Sequence, residues 1–154
     1  IMPSLVGSEM CIRDRYQQLE QLITTTSNEL NLVSRRFGQR ADLSVEQLEI
    51  LRLLYNYEVM SQYDLTMKMS KEQSIVSRWI KKLRQLGYLT SRQSDSDLRC
   101  KEILLTDKAR TLILEINEAR YRLIEARCQS LTEADVQQLN VLLEKLTAKQ
   151  ISLY

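Results

Sequence analysis

Ser74, Ser77, Arg78 and Lys81 recur at i, i+3, i+4 and i+7, so an α-helix would gather them into one polar stripe of small hydroxyls beside long cations. Two residues later the same spacing repeats with Val76, Trp79, Ile80 and Leu83, roughly 200° round the axis at about 100° per residue. The two stripes predict a helix from about Gln73 to Leu86 that packs along one face and offers the other to a partner. The polar face suits base edges in a DNA major groove, because Arg can fork onto guanine O6 and N7 while short side chains let the helix approach. Gln73 at the amino end could add an adenine contact, and Lys82 a further cation. A merely solvated face remains the alternative for a basic helix taken alone.

The flanking residues supply what such a helix needs. Ser61 with Asp64 three residues later reads as a capping-box start for a short helix that turns Leu65 and Met69 inward. Met69 to Glu72 leaves only a turn before the basic helix, as a helix-turn-helix requires. Gly87 stands where a helix often ends in the left-handed conformation. Tyr88–Arg92 and Lys101–Leu105 then alternate as two strands, with Ser and Asp between Gln93 and Leu98 to make the turn. A β-hairpin after a recognition helix is a wing. The expected fold is mainly α with a small β wing, a winged helix-turn-helix over residues 44–106 flanked by terminal helices.

Leu43-Ser44, Gly87-Tyr-Leu, Asp97-Leu-Arg99 and Leu105-Thr-Asp-Lys108 together resemble the MarR family of bacterial transcription regulators, in its SlyA-like branch, over about Tyr16 to Lys149. The resemblance implies a dimeric DNA-binding regulator, most often a repressor. It also implies that Asp97 steadies Arg99 at the wing, where the Arg reaches the minor groove; a narrow minor groove concentrates negative potential that draws Arg in. Arg92 and Lys101, on the two strands, complete the expected DNA-binding set. Two positions depart from the family pattern: Leu98 is often charged in relatives, and Ala109 is often Gly.

Charge is distributed as a DNA reader requires. The whole chain is only +2, but between Lys68 and Lys101 nine cations face three acids, a net +6 that leaves −4 for the remainder. Catalysis has little to work with. The absence of His removes Ser-His and Cys-His pairs, His-ligated zinc and imidazole acid/base chemistry, so no enzyme, metal site or cofactor is expected. Cys100 and Cys128, far apart and without a targeting signal, suit a reducing cytoplasm rather than a disulfide framework, and no run is long enough for a membrane span. Cys100 lies between Arg99 and Lys101, which would lower its pKa and permit oxidant sensing. A thiol redox switch and a protein-interaction winged helix therefore stand as alternatives to ligand-controlled DNA binding.

Both ends read as amphipathic helices. Tyr16–Phe37 carries Leu19, Leu22, Ile23, Leu30 and Leu32; Thr106 caps a helix running to about Cys128 with Leu112, Ile113, Ile116 and Leu123; and Thr132 with Asp135 opens a last helix bearing Val136, Leu139, Leu143 and Leu146. Periodicity alone leaves open whether residues 16–37 and 107–150 fold back on the reader or join two subunits. The resemblance implies the latter, an intertwined homodimer on an inverted-repeat operator with half-sites one helical turn apart. It further implies a small phenolic or aromatic anion bound between these helices and the reader, for which Arg52, Tyr55, Tyr57 and Tyr63 are the candidates; core aromatics with polar tips are the competing reading. Residues 1–15 stand apart from the single domain of residues 16–150. Leu5–Arg15, LVGSEMCIRDR, matches a transposon-type sequencing adapter translated in frame, and the biological portion is expected to start near Tyr16.

Overall fold

The computed structural model describes residues 3–148. In chain order it holds α1 (Pro3–Ala41), α2 (Val45–Tyr57), β1 (Val59–Ser61), α3 (Gln62–Met69), α4 (Gln73–Gln85), β2 (Leu89–Gln93), β3 (Lys101–Leu105), α5 (Asp107–Arg127) and α6 (Glu133–Thr147). Residues 149–150 of the expected last helix lie outside the described residues.

Hydroxyl caps start most of these helices. Ser44 with Gln47, Ser61 with Asp64 and Thr132 with Asp135 form complete capping boxes, each hydroxyl accepting from the backbone N–H three residues on while that residue's side chain accepts from the cap's own N–H. Thr106 accepts from Ala109 N at 3.3 Å and opens α5. Each such cap contributes about 1 kcal/mol to its helix, because it satisfies amide protons that have no partner inside the helix.

Two helices end in Schellman motifs. At the end of α1, Leu43 N–H donates to Gly38 O at 2.8 Å and Asp42 N–H to Gln39 O at 3.4 Å, with Asp42 in the left-handed region at φ 56°. At the end of α4, Tyr88 N–H donates to Leu83 O at 2.9 Å and Gly87 N–H to Arg84 O at 3.1 Å, with Gly87 at φ 80°. Leu43 and Tyr88, the residues that close each motif, are both buried and fasten the turn to the core.

The core forms where α2, α3, α4 and the sheet close on α5. Leu48, Ile50, Leu51, Leu54, Leu65, Val76, Leu83, Ile113 and Ile116 are its fully buried large side chains. Ala109, one of the two departures from the family pattern, is also wholly buried, at the start of α5. The sheet is antiparallel in the order β1-β3-β2, with Met60 opposite Ile103 and Leu89 opposite Leu105. Neither α2 nor β1 is among the expected elements. Three residues are too short for a strand signal, and β1 exists because β3 offers it a free edge. For α2 the signal was present: Ser44 and Gln47 followed by Leu48, Leu51 and Leu54 is a capping box leading into a helical stripe.

The ends of the chain are different. α1 runs unbroken through the boundary expected at Tyr16, and every side chain from residue 11 to residue 28 is exposed. No residue of α6 is buried.

Candidate nucleic-acid interface

α4 is positioned from behind by Val76, Ile80 and Leu83, which insert into the core, while Trp79 packs half-buried at its edge. Gln73, Ser74, Ser77, Arg78 and Lys81 are all exposed. Burying about three aliphatic side chains at roughly 1.5–3 kcal/mol each fixes which way the helix faces, so the polar stripe is held outward. Among the described residues, Arg78 and Lys81 have no ion-pair partner, which leaves both cations available.

Lys82 belongs elsewhere. Its ammonium donates to Asp42 O at 3.0 Å and stands 3.5 Å from the Asp42 carboxylate, at the corner between α1 and α2. Lys82 also lines, with Trp79, Gly38, Gln39, Leu43, Ser44 and Gln47, an open cleft of about 480 Å³ between that corner and α4.

The wing is tied together by polar contacts. Arg92 and Glu102 face each other across β2 and β3, and Arg92 Nε donates to Glu102 Oε2 at 2.7 Å. Hydrogen bonds from Arg92 and Ser94 hold the Glu102 carboxyl below the usual carboxylate range, and Glu102 in turn raises the Arg92 pKa. Arg92 is therefore engaged within the wing, whereas Arg99 and Lys101 are exposed without an ion-pair partner among the described residues. Asp97 meets Arg99 through the main chain: Oδ1 accepts the Arg99 backbone N–H at 3.0 Å, in an Asx turn that fixes the loop rather than the guanidinium. Leu98 stands beside it, highly exposed at the wing tip.

The expectation for Cys100 is reversed. Its thiol lies 3.6 Å from Asp97 Oδ2, and the Asp97 charge, burial and that hydrogen bond push the pKa up, with Asp64 adding to the effect. Arg99 and Lys101 are sequence neighbours whose side chains do not offset the nearer carboxylate, so the shift runs against the low-pKa thiol that oxidant sensing requires.

The four candidate ligand residues are not brought together. Arg52 pairs with Glu49 at 3.9 Å, and Tyr55 packs against the core. Tyr57 and Tyr63 instead line a second open cleft of about 460 Å³ with Val59, Met60, Asp64, Met67 and Lys68, where the Lys68 ammonium sits 4.5 Å from the centre of the Tyr57 ring. Arg120, which the sequence did not flag, bridges α5 to α1 by donating to Leu30 O and Ser34 Oγ, both at 3.0 Å; burial and nearby Arg52 lower its pKa. Its signal was weak, since an Arg among the many charges of α5 looks like any solvated cation until α1 packs over it.

The described residues contain no cluster of metal-ligating side chains, and no described helix is long and apolar enough to cross a membrane.

The model of the MarR family matches residues 43–101, the segment that holds α2, β1, α3, α4 and β2 and ends at the first residue of β3. Among curated proteins, the chain is 29% identical over 94 residues to the uncharacterized HTH-type transcriptional regulator YdgJ of Bacillus subtilis, covering 61% of this chain and 57% of that protein. The chain thus spans little more than half the length of that relative. Among solved structures, the transcriptional regulator Tm0710 from Thermotoga maritima superposes with a TM-score of 0.74 at 21% identity, covering 87% of this chain and 99% of that one. The S. aureus MepR-DNA complex does so with a TM-score of 0.64 at 20% identity, covering 84% and 97%. At these identities the structures share the fold, and the likeness to the family rests on the sequence match over residues 43–101. Residues 43–101, which carry the outward basic helix and the first strand of the wing, are thus similar to the MarR family.

Proposed function

We propose that the protein is a sequence-specific, double-stranded-DNA-binding transcriptional regulator that acts as a homodimer, most simply as a repressor whose operator overlaps a promoter, in the cytoplasm. One observation carries the reading: α4 buries Val76, Ile80 and Leu83 and leaves Ser74, Ser77, Arg78 and Lys81 on its open side. In the proposed complex these residues, with Gln73, read the major groove, and Arg99 and Lys101 hold the wing to the minor groove and backbone. The relation to YdgJ and to a fold seen bound to DNA in MepR supports the same reading.

Dimerisation supplies the second half-site. Leu19, Leu22, Leu139, Leu142 and Leu146 are all more than 40% exposed on α1 and α6, an apolar surface that a second copy would cover. A twofold axis through those helices would set two α4 helices about 34 Å apart, so the operator is an inverted repeat with half-sites one helical turn apart. A small aromatic anion is the proposed modulator. The Tyr57–Tyr63 cleft with Lys68 offers it two rings and a cation. No catalytic role is proposed.

Selection of bound sequences from random duplex DNA tests the reading. The expected product is an inverted repeat whose affinity falls steeply with salt, with a slope of about −0.9 per neutralised phosphate. Recovery of unrelated sequences with equal affinity would overturn it. Release of the selected duplex by salicylate-like compounds tests the modulator; if none releases it, the cleft has only a structural role.

A further inference from the structure

Lys82 lies on the recognition helix, yet its ammonium is turned away from the polar stripe and onto the corner that ends α1. That corner is rigid. Asp42 closes a Schellman turn in the left-handed region, and a Cβ on Gly38 would meet Leu43 O at 2.8 Å and Leu48 Cδ1 at 2.9 Å, so α1 meets α2 at a contact that only glycine allows. The carbonyl that Lys82 grips is therefore a fixed point. The far end of α4 is held as well: Lys108 Nζ donates to Leu86 O at 2.7 Å and Thr106 Oγ1 to Gly87 O at 2.6 Å, both from the start of α5. The recognition helix is thus tied at one side to α1 and at its end to α5, and those two helices pack on each other.

We infer that Lys82 is a positioning residue: its contact with Asp42 sets the angle of α4 against α1, and so the separation of the two recognition helices across the dimer, without touching DNA. This rests on the regulatory reading above. A charged donor on a main-chain carbonyl, reinforced by a carboxylate at 3.5 Å, resists rotation of the helix about its own α5 tether. Loss of that brace lets each α4 swing, and a dimer whose readers swing tolerates more than one half-site spacing.

The experiment uses the full chain on inverted-repeat duplexes whose central spacer changes by one base pair at a time. With Lys82→Met, the preference for the best spacer over its neighbours is expected to fall about 2- to 5-fold, the range that a partly exposed ion pair commands. The dependence of log affinity on log salt keeps its wild-type slope, and Lys82→Arg, which retains a charged donor, restores the preference. Asp42→Asn shifts it in the same direction by less, because the carbonyl remains. A phosphate contact predicts the opposite on each count: Lys82→Met would reduce the slope by about 0.9 with spacer preference intact, and Asp42→Asn would tighten binding by freeing the cation and removing a repelling charge. Either result overturns the inference alone. A wild-type chain that prefers no duplex over another overturns it together with the regulatory reading.

Discussion

The winged-helix body and α6 are built from the same kinds of residue and end in opposite states. In the body, Leu48, Leu51 and Leu54 on α2 are at most 2% exposed; on α6, Leu139, Leu142, Leu143 and Leu146 are 40–53% exposed at similar spacing. Periodicity is thus the same, and the difference is whether a complementary surface exists within one chain. For α2 the sheet, α4 and α5 provide it. For α6, and for residues 11–28 of α1, no part of the described chain does. A helix with an apolar stripe and no partner is under-stabilised in water, since most helical stability in proteins comes from packing one face. The lesson is that the reader is complete in a single chain, whereas the proposed two-site operator depends on surfaces that only a second copy finishes.

The largest effect should come from cutting into the complete region. Leu54→Ala removes a wholly buried side chain and is expected to cost about 2–5 kcal/mol in denaturant unfolding, whereas Leu142→Ala on α6 should leave the reader's own unfolding nearly unchanged. Comparable losses would erase the distinction between the two regions. Next, Leu139→Glu with Leu143→Glu should convert a dimer to monomer in sedimentation and remove the concentration dependence of the melting temperature. A variant that stays dimeric would place the subunit contact elsewhere, and a monomeric wild type would overturn the dimer.

Arg78→Ala should weaken the selected operator by roughly 1–3 kcal/mol while hardly affecting random duplex, with folding unaltered because the residue is exposed. Equal weakening on every duplex would make Arg78 a phosphate clamp. For Cys100, the pH at which alkylation reaches half its maximal rate is expected above that of a free thiol, as Asp97 opposes thiolate formation. A midpoint shifted below it would restore the redox alternative.

The smallest effect concerns the strap across the wing. Glu102 titrates below its ordinary range, so its contribution to wing stability is fully present above the unfolded-state value and is lost as pH falls through the folded one. Glu102→Gln should reproduce the acid state at neutral pH. Amide exchange in Arg92 to Ser94 at neutral pH measures it, and protection in the variant equal to that of the wild type would show that the strap adds nothing.

Elements whose signals are local were legible in the order of residues alone. Ser61, Thr106 and Thr132 start helices through bonds to residues three positions on, and Gly87 ends one by tolerating a positive φ. The two stripes of α4 likewise follow from the 3.6-residue repeat, so an outward basic face could be read before any packing was known. Other features depend on residues distant in the chain and emerge only when it folds. Lys82 and Lys81 are adjacent cations on one helix, but Asp42, forty residues earlier, takes only the first. Asp97 governs the Cys100 thiol because the wing loop folds the carboxylate onto the sulfur, reversing what the neighbouring Arg99 and Lys101 suggest. Tyr55 and Tyr57 part company because successive residues on a helix point about 100° apart, and only the packed body decides which direction is core and which is solvent. Helical period and caps are properties of a short stretch of chain; the partner of a charge is a property of the fold.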